Sequence, residues 1–190
     1  MNQSFPKELT VLPQWICWRL EPDPNGGKDR KVPYNPKSCK KASTTAQTSW
    51  ASLTEAMIAS KKYNYSGIGF VFTKQDGIIG VDIDHCIKDG KLNDVAKEIV
   101  SRFPSYTEIS PSGTGLHIIY LGEMPGRGNK NSKYGVEMYA QSRYFTMTGK
   151  RVEGTPDSIS DGADALPWIH ENYIAKKHAS KKKRRSVKHS

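Results

Sequence analysis

The stretch Ile78-Ile79-Gly80-Val81-Asp82-Ile83-Asp84 is an apolar run that ends in two carboxylates separated by one residue. Its β-rich composition predicts a strand. Side chains at positions i and i+2 of a strand project from the same face, so Asp82 and Asp84 converge while Ile83 points the other way. Two unpaired carboxylates placed like this repel each other, and a bound Mg²⁺ or Mn²⁺ is the usual resolution. The alternative is a strand end at which both acids simply face water.

The surrounding sequence predicts a chain in which strands outnumber helices. Further strands are predicted at residues 14–19, 30–34, 67–72, 106–109, 116–121, 134–139 and 143–148. Helices are predicted at residues 50–61, capped by Thr48 or Ser49, and at residues 92–103 and 165–173. We expect hairpins between 14–19 and 30–34 and between 134–139 and 143–148, and antiparallel pairing of 67–72 with 78–82. The fold class is therefore α+β, with a mixed or largely antiparallel sheet covered by helices on one face.

A loop of small residues, Ser110-Pro111-Ser112-Gly113-Thr114-Gly115, runs into Leu116-His117. Glycine lets backbone N–H groups approach an anion, and hydroxyl groups and an imidazole add donors, so Ser112, Gly113 and His117 could cradle a triphosphate. The alternative is an ordinary tight turn followed by a half-buried histidine. The loop matches neither the P-loop nor the dinucleotide fingerprint.

Glu137 is the one acid in the otherwise apolar and aromatic strand predicted at 134–139. A carboxylate in such a strand is costly unless something pairs with it. Arg143 across the predicted turn is one candidate partner, and a metal ion shared with Asp82 and Asp84 is the other. The residues alone leave both open.

Taken together and in this order, these motifs resemble the prim-pol branch of the archaeo-eukaryotic primase superfamily, as encoded by phages and plasmids. That family carries an acidic D-x-D pair at a strand end, then a serine-glycine loop leading to a histidine, then a third acid on a later strand. The segments around Trp15-Ile16-Cys17-Trp18, Lys31-Val32-Pro33-Tyr34-Asn35-Pro36 and Arg143-Tyr144-Phe145-Thr146-Met147-Thr148-Gly149 also resemble recurring parts of such domains. The resemblance spans residues 15–149.

The resemblance implies a palm like an RNA-recognition motif, joined to an N-terminal α/β unit. It implies template-directed DNA primase and polymerase activity, in which NTPs or dNTPs are joined on single-stranded DNA during replication of a phage, plasmid or other mobile element. Asp82, Asp84 and Glu137 would hold Mg²⁺ or Mn²⁺, and His117 would contact the triphosphate as a phosphate ligand. Ser112, Gly113, Arg143 and Lys31 are the further nucleotide-binding candidates. A replicative helicase, fused or separate, is an implied partner.

The formal net charge of +10 is concentrated at the C-terminal end of the chain. Residues 176–190 contain eight Lys and Arg and no acid, so the remainder carries 10 − 8 = +2. Such a run repels itself and attracts phosphate, which predicts a disordered tail, or a linker to a further region, at residues 175–190. The catalytic domain is expected at residues 1–174.

Composition excludes several other classes of protein. No apolar run approaches the roughly 20 residues that cross a bilayer, and the N-terminus lacks the apolar stretch of a signal peptide. Three cysteines without C-x-x-C spacing fit reduced thiols, so we expect a cytoplasmic protein without membrane contact. The main functional alternative is a non-catalytic nucleotide- or DNA-binding module of a replication initiator. A nicking initiator is disfavoured, because Ile119 stands where its second histidine would be.

Overall fold

The structure is a computed structural model that describes residues 4–175 of the chain. Its helices are α1 (Lys7–Thr10), α2 (Leu53–Lys62), α3 (Asp94–Arg102) and α4 (Ala165–Ile169), and short helical turns span Gln47–Ser49 and His170–Ala175. Its strands are β1 (Trp15–Glu21), β2 (Arg30–Tyr34), β3 (Gly67–Phe72), β4 (Ile78–Ile83), β5 (Ile87–Lys88), β6 (Lys91–Leu92), β7 (Thr107–Ile109), β8 (Leu116–Leu121), β9 (Lys130–Asn131), β10 (Val136–Tyr139), β11 (Arg143–Met147) and β12 (Ser160–Asp161). The fold is α+β, as predicted.

Most of the strands belong to two sheets. The first sheet has the strand order β11-β3-β1-β2, and every pair in it is antiparallel. The second sheet has the order β12-β8-β4-β10-β9, with β7 paired to β8 beside β12, and only the pairing of β12 with β8 is parallel. The hairpin of β1 and β2 is confirmed. The first sheet with α2 corresponds to the expected N-terminal unit, and the second sheet with α3 and α4 to the expected palm.

The prediction that β3 and β4 are paired is wrong. β3 has β1 on one side and β11 on the other, and β4 lies between β8 and β10, so neither strand has a free edge. The connecting loop carries the chain from the first sheet to the second and is held by Asp76. The Asp76 carboxylate accepts hydrogen bonds from the N–H of Ile78 at 2.7 Å and from the N–H of Thr73 at 3.0 Å.

The predicted hairpin of β10 and β11 is also absent, because the two strands lie in different sheets. β10 pairs with β4 in the second sheet and β11 pairs with β3 in the first. Between them Ser142 adopts a φ of 55°, a left-handed conformation that redirects the chain. Arg143 therefore does not lie across a turn from Glu137.

Helix α2 begins later than predicted, because Ser52 caps it instead of Thr48 or Ser49. The Ser52 hydroxyl accepts a hydrogen bond from the N–H of Glu55 at 3.2 Å, and the Glu55 carboxylate accepts one from the N–H of Ser52 at 2.9 Å. This reciprocal pair is a capping box, which satisfies two backbone donors at the helix start. Trp50, predicted as helical, lies before the cap and is buried.

The predicted helix at residues 92–103 is confirmed as α3 with shorter bounds. The Asn93 side chain accepts a hydrogen bond from the N–H of Ala96 at 2.9 Å, which caps the helix and leaves Leu92 in β6. Across residues 4–175, none of the helices combines the length and apolar character that a bilayer crossing requires. The predicted basic tail lies outside the described residues, apart from Ala175 in the last helical turn.

The second sheet is covered by apolar layers on both faces. One face packs against α3, α4 and the turn that follows α4. On the other face Ile119 packs with Phe72 and Phe145 of the first sheet. A Cβ atom at Gly80 would lie 2.5 Å from the Phe145 ring and 2.6 Å from the Phe72 ring, so only glycine permits this approach. The first sheet therefore contacts β4 directly, two residues before Asp82.

Candidate active site

Ionisable side chains from neighbouring strands form one row across the second sheet. Asp82 on β4 pairs in register with His117 on β8 and with Glu137 on β10. His117 in turn pairs with Glu108 on β7, and Glu137 pairs with Lys130 on β9. Directly opposed residues of antiparallel strands place their side chains on the same face, so all five project together. We call these five residues the ionisable row.

Asp84 extends the acidic end of β4 by one residue and is exposed, whereas Asp82 is half-buried. The pKa of Asp82 is raised from 3.8 to about 6, chiefly by burial and also by the charges of Asp84 and Glu137. His117 and Lys31 act in the opposite direction. Asp84, Glu137, His117 and Lys31 are thus all close enough to shift the pKa of Asp82, although only His117 and Glu137 are adjacent to it in register.

Glu137 has an uncharged partner, because the hydroxyl of Tyr139 donates a hydrogen bond to its carboxylate. Arg143 lies over the ring of Tyr139, with 5.3 Å between the guanidinium carbon and the ring centroid. Within residues 4–175 no ion pair joins Arg143 to Glu137, so that candidate pairing is not observed. Among the described residues, no Lys, Arg or His side chain forms an ion pair with the Glu137 carboxylate.

The donor chemistry of the three acids fits a hard divalent cation. Carboxylate oxygens are the ligands that Mg²⁺ and Mn²⁺ prefer, and a cation would relieve the like-charge repulsion that contributes to the raised pKa of Asp82. However, no set of three or more His, Cys, Asp or Glu side chains in residues 4–175 is arranged around a common point that could hold a metal ion. Asp82, Asp84 and Glu137 therefore share one end of the second sheet without forming a complete site.

A cavity of about 220 Å³ opens beside Asp82. Its lining comprises Lys31, Asp82, His117, Tyr139, Arg143, Tyr144, Phe145 and Thr146. Three of these side chains can carry positive charge and one is an acid, a balance that suits a phosphate group next to a carboxylate. A larger cavity of about 790 Å³ lies at the opposite end of β4, beside Ile78 and Ile79, and shares only Tyr139 with the first. The smaller cavity is the one lined by residues of the ionisable row, Asp82 and His117.

His117 is buried, with 4% of its surface exposed. Its Nδ1 lies 3.2 Å from Oε1 of Glu108, and its ring stacks on Phe145 with a centroid distance of 4.5 Å and an interplanar angle of 22°. His117 is therefore more enclosed than the half-buried histidine of the alternative interpretation. Phe145 thus constrains one ring face and Glu108 one ring nitrogen. The adjacent cavity is also lined by Lys31 and Arg143.

Ser112 and Gly113 lie at the tip of the turn between β7 and β8, outside the lining of the smaller cavity. The N–H of Gly113 donates to the carbonyl of Ser110 at 2.9 Å, and the Ser112 hydroxyl lies 3.0 Å from the hydroxyls of Ser110 and Thr114. These contacts describe an ordinary closed turn. The prediction that Ser112 and Gly113 contact the triphosphate stays a prediction.

Comparison with known proteins decides the family. No protein-family model matches the chain. The chain is similar to a curated protein named DNA Primase-polymerase from Nitratiruptor phage NrS-1, with 35% identity across 91% of the chain. This chain is a prim-pol domain. It spans about a quarter of the length of that relative, 24%.

The ionisable row of this prim-pol domain includes two residues that sequence reasoning missed, Glu108 and Lys130. Glu108 precedes the serine-glycine loop inside a predicted strand, and its position there was the available signal. Lys130 lies in a glycine-rich segment with no strand pattern, so nothing in the sequence indicated that it pairs with Glu137. Of the predicted residues, the structure brings Lys31, Asp82, His117 and Arg143 to the cavity.

Proposed function

We propose that this prim-pol domain catalyses template-directed nucleotidyl transfer from NTPs or dNTPs on single-stranded DNA. The observation that supports this most is the register of Asp82 with His117 on one side and Glu137 on the other, beside a cavity lined by Lys31 and Arg143. The name of the phage relative supports the same class of reaction. The proposed setting is the replication of a phage, plasmid or other mobile element.

In this proposal Asp82, Asp84 and Glu137 would hold one or two Mg²⁺ or Mn²⁺ ions. A bound divalent ion would supply activation of the attacking hydroxyl and neutralisation of charge at the α-phosphate. Asp82 contributes as a carboxylate, because its pKa of about 6 leaves it mostly deprotonated at pH 7.5. The 3′-hydroxyl loses its proton to solvent, its oxygen forms a bond to the α-phosphorus, and the bond from that phosphorus to pyrophosphate breaks.

The cationic groups of the cavity would bind the triphosphate. His117 presents a ring already oriented by Glu108 and Phe145, and donates a hydrogen bond to a phosphate oxygen. Arg143 and Lys31 neutralise phosphate charge, with Arg143 able to bind two oxygens at once. The template would be held through its phosphate backbone, since an enzyme that copies every base cannot select by sequence. A helicase, fused or separate, is the proposed partner.

The second candidate is a nucleotide- or DNA-binding module that does not polymerise. The observation that favours it is that the three acids within residues 4–175 do not form a complete metal site. The two candidates differ in one measurable property, which is the formation of new phosphodiester bonds.

We expect the 190-residue chain to incorporate labelled dNTP or NTP on unprimed and primed single-stranded DNA when Mn²⁺ or Mg²⁺ is present. Products should be resolved by length on a denaturing gel, so that priming and extension are measured separately. The Asp82→Asn variant is the negative control. Nucleotide binding without any product under all these conditions would exclude the polymerase and favour the binding module.

Removal of residues 176–190 should weaken single-stranded DNA binding without changing nucleotide binding. This segment contributes eight Lys and Arg, and each phosphate that it neutralises adds about 0.7 to the slope of log affinity against log salt concentration. Titration at several salt concentrations measures both affinity and slope. A chain with the same fifteen residues in scrambled order is the matched control, and should bind like the unsubstituted chain. Equal affinity after truncation would assign the segment to a linker role.

A further inference from the structure

Glu108 is a carboxylate with no exposed surface. Its Oε1 accepts a hydrogen bond from the N–H of Thr148 at 3.0 Å, and its Oε2 accepts from the N–H of Gly149 at 2.9 Å and from the hydroxyl of Tyr106 at 2.8 Å. A buried carboxylate is costly unless such donors surround it. Two backbone groups and one side chain therefore hold the Glu108 carboxylate in a fixed position.

The remaining partner of Glu108 is His117, whose Nδ1 lies 3.2 Å from Oε1. An ionised carboxylate can only accept hydrogen bonds, so this contact assigns the shared proton to Nδ1 of the histidine. Nε2 is then the ring nitrogen that remains for a ligand. The stacked ring of Phe145 restricts rotation of the imidazole about its own axis.

The donors around Glu108 cannot change their roles. Burial, together with the charge of Glu108, raises the pKa of Tyr106, so its hydroxyl keeps its proton and continues to donate. The N–H groups of Thr148 and Gly149 belong to the backbone and have no alternative state. The Glu108 carboxylate therefore stays available as an acceptor for the His117 ring.

We propose that Glu108 is a positioning residue that holds the His117 ring so that its Nε2 can bind a phosphate oxygen of the nucleotide in the adjacent cavity. This proposal rests on the proposed function for the identity of the ligand. Its structural basis is the register pairing of Glu108 with His117 and of His117 with Asp82, which places the imidazole between a supporting carboxylate and the acidic site. When both nitrogens of the His117 ring are protonated and donate hydrogen bonds, the negative charge of Glu108 balances the positive charge of the ring.

The first test needs no nucleotide. Long-range ¹H–¹⁵N correlation spectra of the unsubstituted chain should show His117 protonated at Nδ1. In the Glu108→Gln variant the amide can donate to Nδ1, so the proton should move to Nε2. A ring protonated only at Nε2 in the unsubstituted chain, or spectra unchanged by Glu108→Gln, would overturn the proposal. If Glu108→Gln does not fold, the result for the unsubstituted chain still decides.

The second test is kinetic and uses dNTP incorporation with Mn²⁺. Glu108→Gln should raise the KM for dNTP about 10-fold while kcat changes less, since a charge-assisted hydrogen bond is lost from the ligand side. The substitution should have no further effect in a His117→Ala background, because Glu108 acts through His117. An equal effect in both backgrounds would indicate a merely structural role and overturn the proposal. Glu153→Gln, at an exposed position, is the matched control.

Failure of the proposed function is distinguishable from failure of this inference. If the unsubstituted chain neither binds nor incorporates dNTP, the proposal that a nucleotide is the ligand of this cavity is wrong. The spectra would then decide on their own whether Glu108 sets the protonation of the His117 ring.

Discussion

We expect primer extension to fall about 10³-fold or more when Asp82 is replaced by asparagine, and the same variant to unfold at a higher temperature than the unsubstituted chain. The loss of activity is expected because the amide has no negative charge with which to hold a divalent ion beside the nucleotide. The gain in stability is expected because the substitution removes a negative charge that is destabilised by burial and by the neighbouring carboxylates of Asp84 and Glu137.

The sign of the stability effect follows from the pKa of Asp82. The folded protein has a pKa of about 6 there, against 3.8 for the ordinary side chain, so between these values the folded state binds more protons than the unfolded state. The free energy of unfolding therefore decreases as the pH rises through this window, and this loss of stability is complete at pH 7.5. The raised pKa corresponds to at most about 3 kcal/mol, or roughly 6–12 °C in melting temperature.

Thermal unfolding without metal, measured at pH 7.5 and at pH 4, tests this prediction. The advantage of Asp82→Asn should be present at pH 7.5 and largely lost at pH 4, where the unsubstituted side chain is protonated. Addition of Mn²⁺ should stabilise the unsubstituted chain and leave the variant unchanged. Asp157→Asn, an exposed change of the same kind, should alter neither activity nor stability. Extension activity that survives in Asp82→Asn would end the metal hypothesis.

Replacement of Glu137 by glutamine should lower kcat/KM for dNTP about 10²- to 10³-fold. Glutamine keeps the shape of the side chain and its ability to bond to the Tyr139 hydroxyl, so β10 should remain paired with β4. What is lost is the negative charge opposite Asp82. The apparent affinity for Mn²⁺ should therefore weaken together with the rate.

Steady-state kinetics over a range of Mn²⁺ concentrations measures both effects of Glu137→Gln. Tyr139→Phe is the informative comparison, because it removes the hydroxyl partner and keeps the carboxylate. We expect that variant to lose less than about 10-fold in activity. A Glu137→Gln variant with an unchanged rate and unchanged Mn²⁺ dependence would restrict the ion ligands to Asp82 and Asp84.

The sequence was sufficient to predict the strand that carries Asp82 and the strands that carry His117 and Glu137. Alternation along a single strand indicates which residues share a face, and apolar composition indicates burial. The resemblance to prim-pol domains then suggested that these three residues belong to one site. The structure places them in direct register, which alternation alone could not establish.

The wrong pairings have a common physical cause. Chain order made β3 and β4, and likewise β10 and β11, the simplest partners, since consecutive strands are usually neighbours. In both cases a short connection crosses between sheets, and the local sequence around Asp76 and Ser142 is compatible with either arrangement. Which sheet a strand joins depends on packing across the core, as between Phe145 and Gly80, and such contacts are not local in sequence.

Glu108 was missed for a related reason. A lone acid within a short predicted strand says nothing about which residue faces it from the next strand. The prediction that Ser112 and Gly113 bind phosphate shows a second limit of the sequence. Glycine and hydroxyl residues suit an anion-binding loop and a closed turn equally well, so their presence does not distinguish the two. The turn observed here uses the Gly113 N–H internally, at 2.9 Å from the Ser110 carbonyl.

The ionisable row also bears on how the chain reaches its native state. Because a shift of one residue reverses the face of every side chain in a strand, a misaligned β10 would drive Glu137 into the apolar layer beneath α3. The same penalty applies to Asp82 on β4 and to His117 on β8. The residues proposed for chemistry thus also discriminate against slipped alignments during folding, so substituting several of them by apolar residues would be expected to broaden the ensemble of mispaired states.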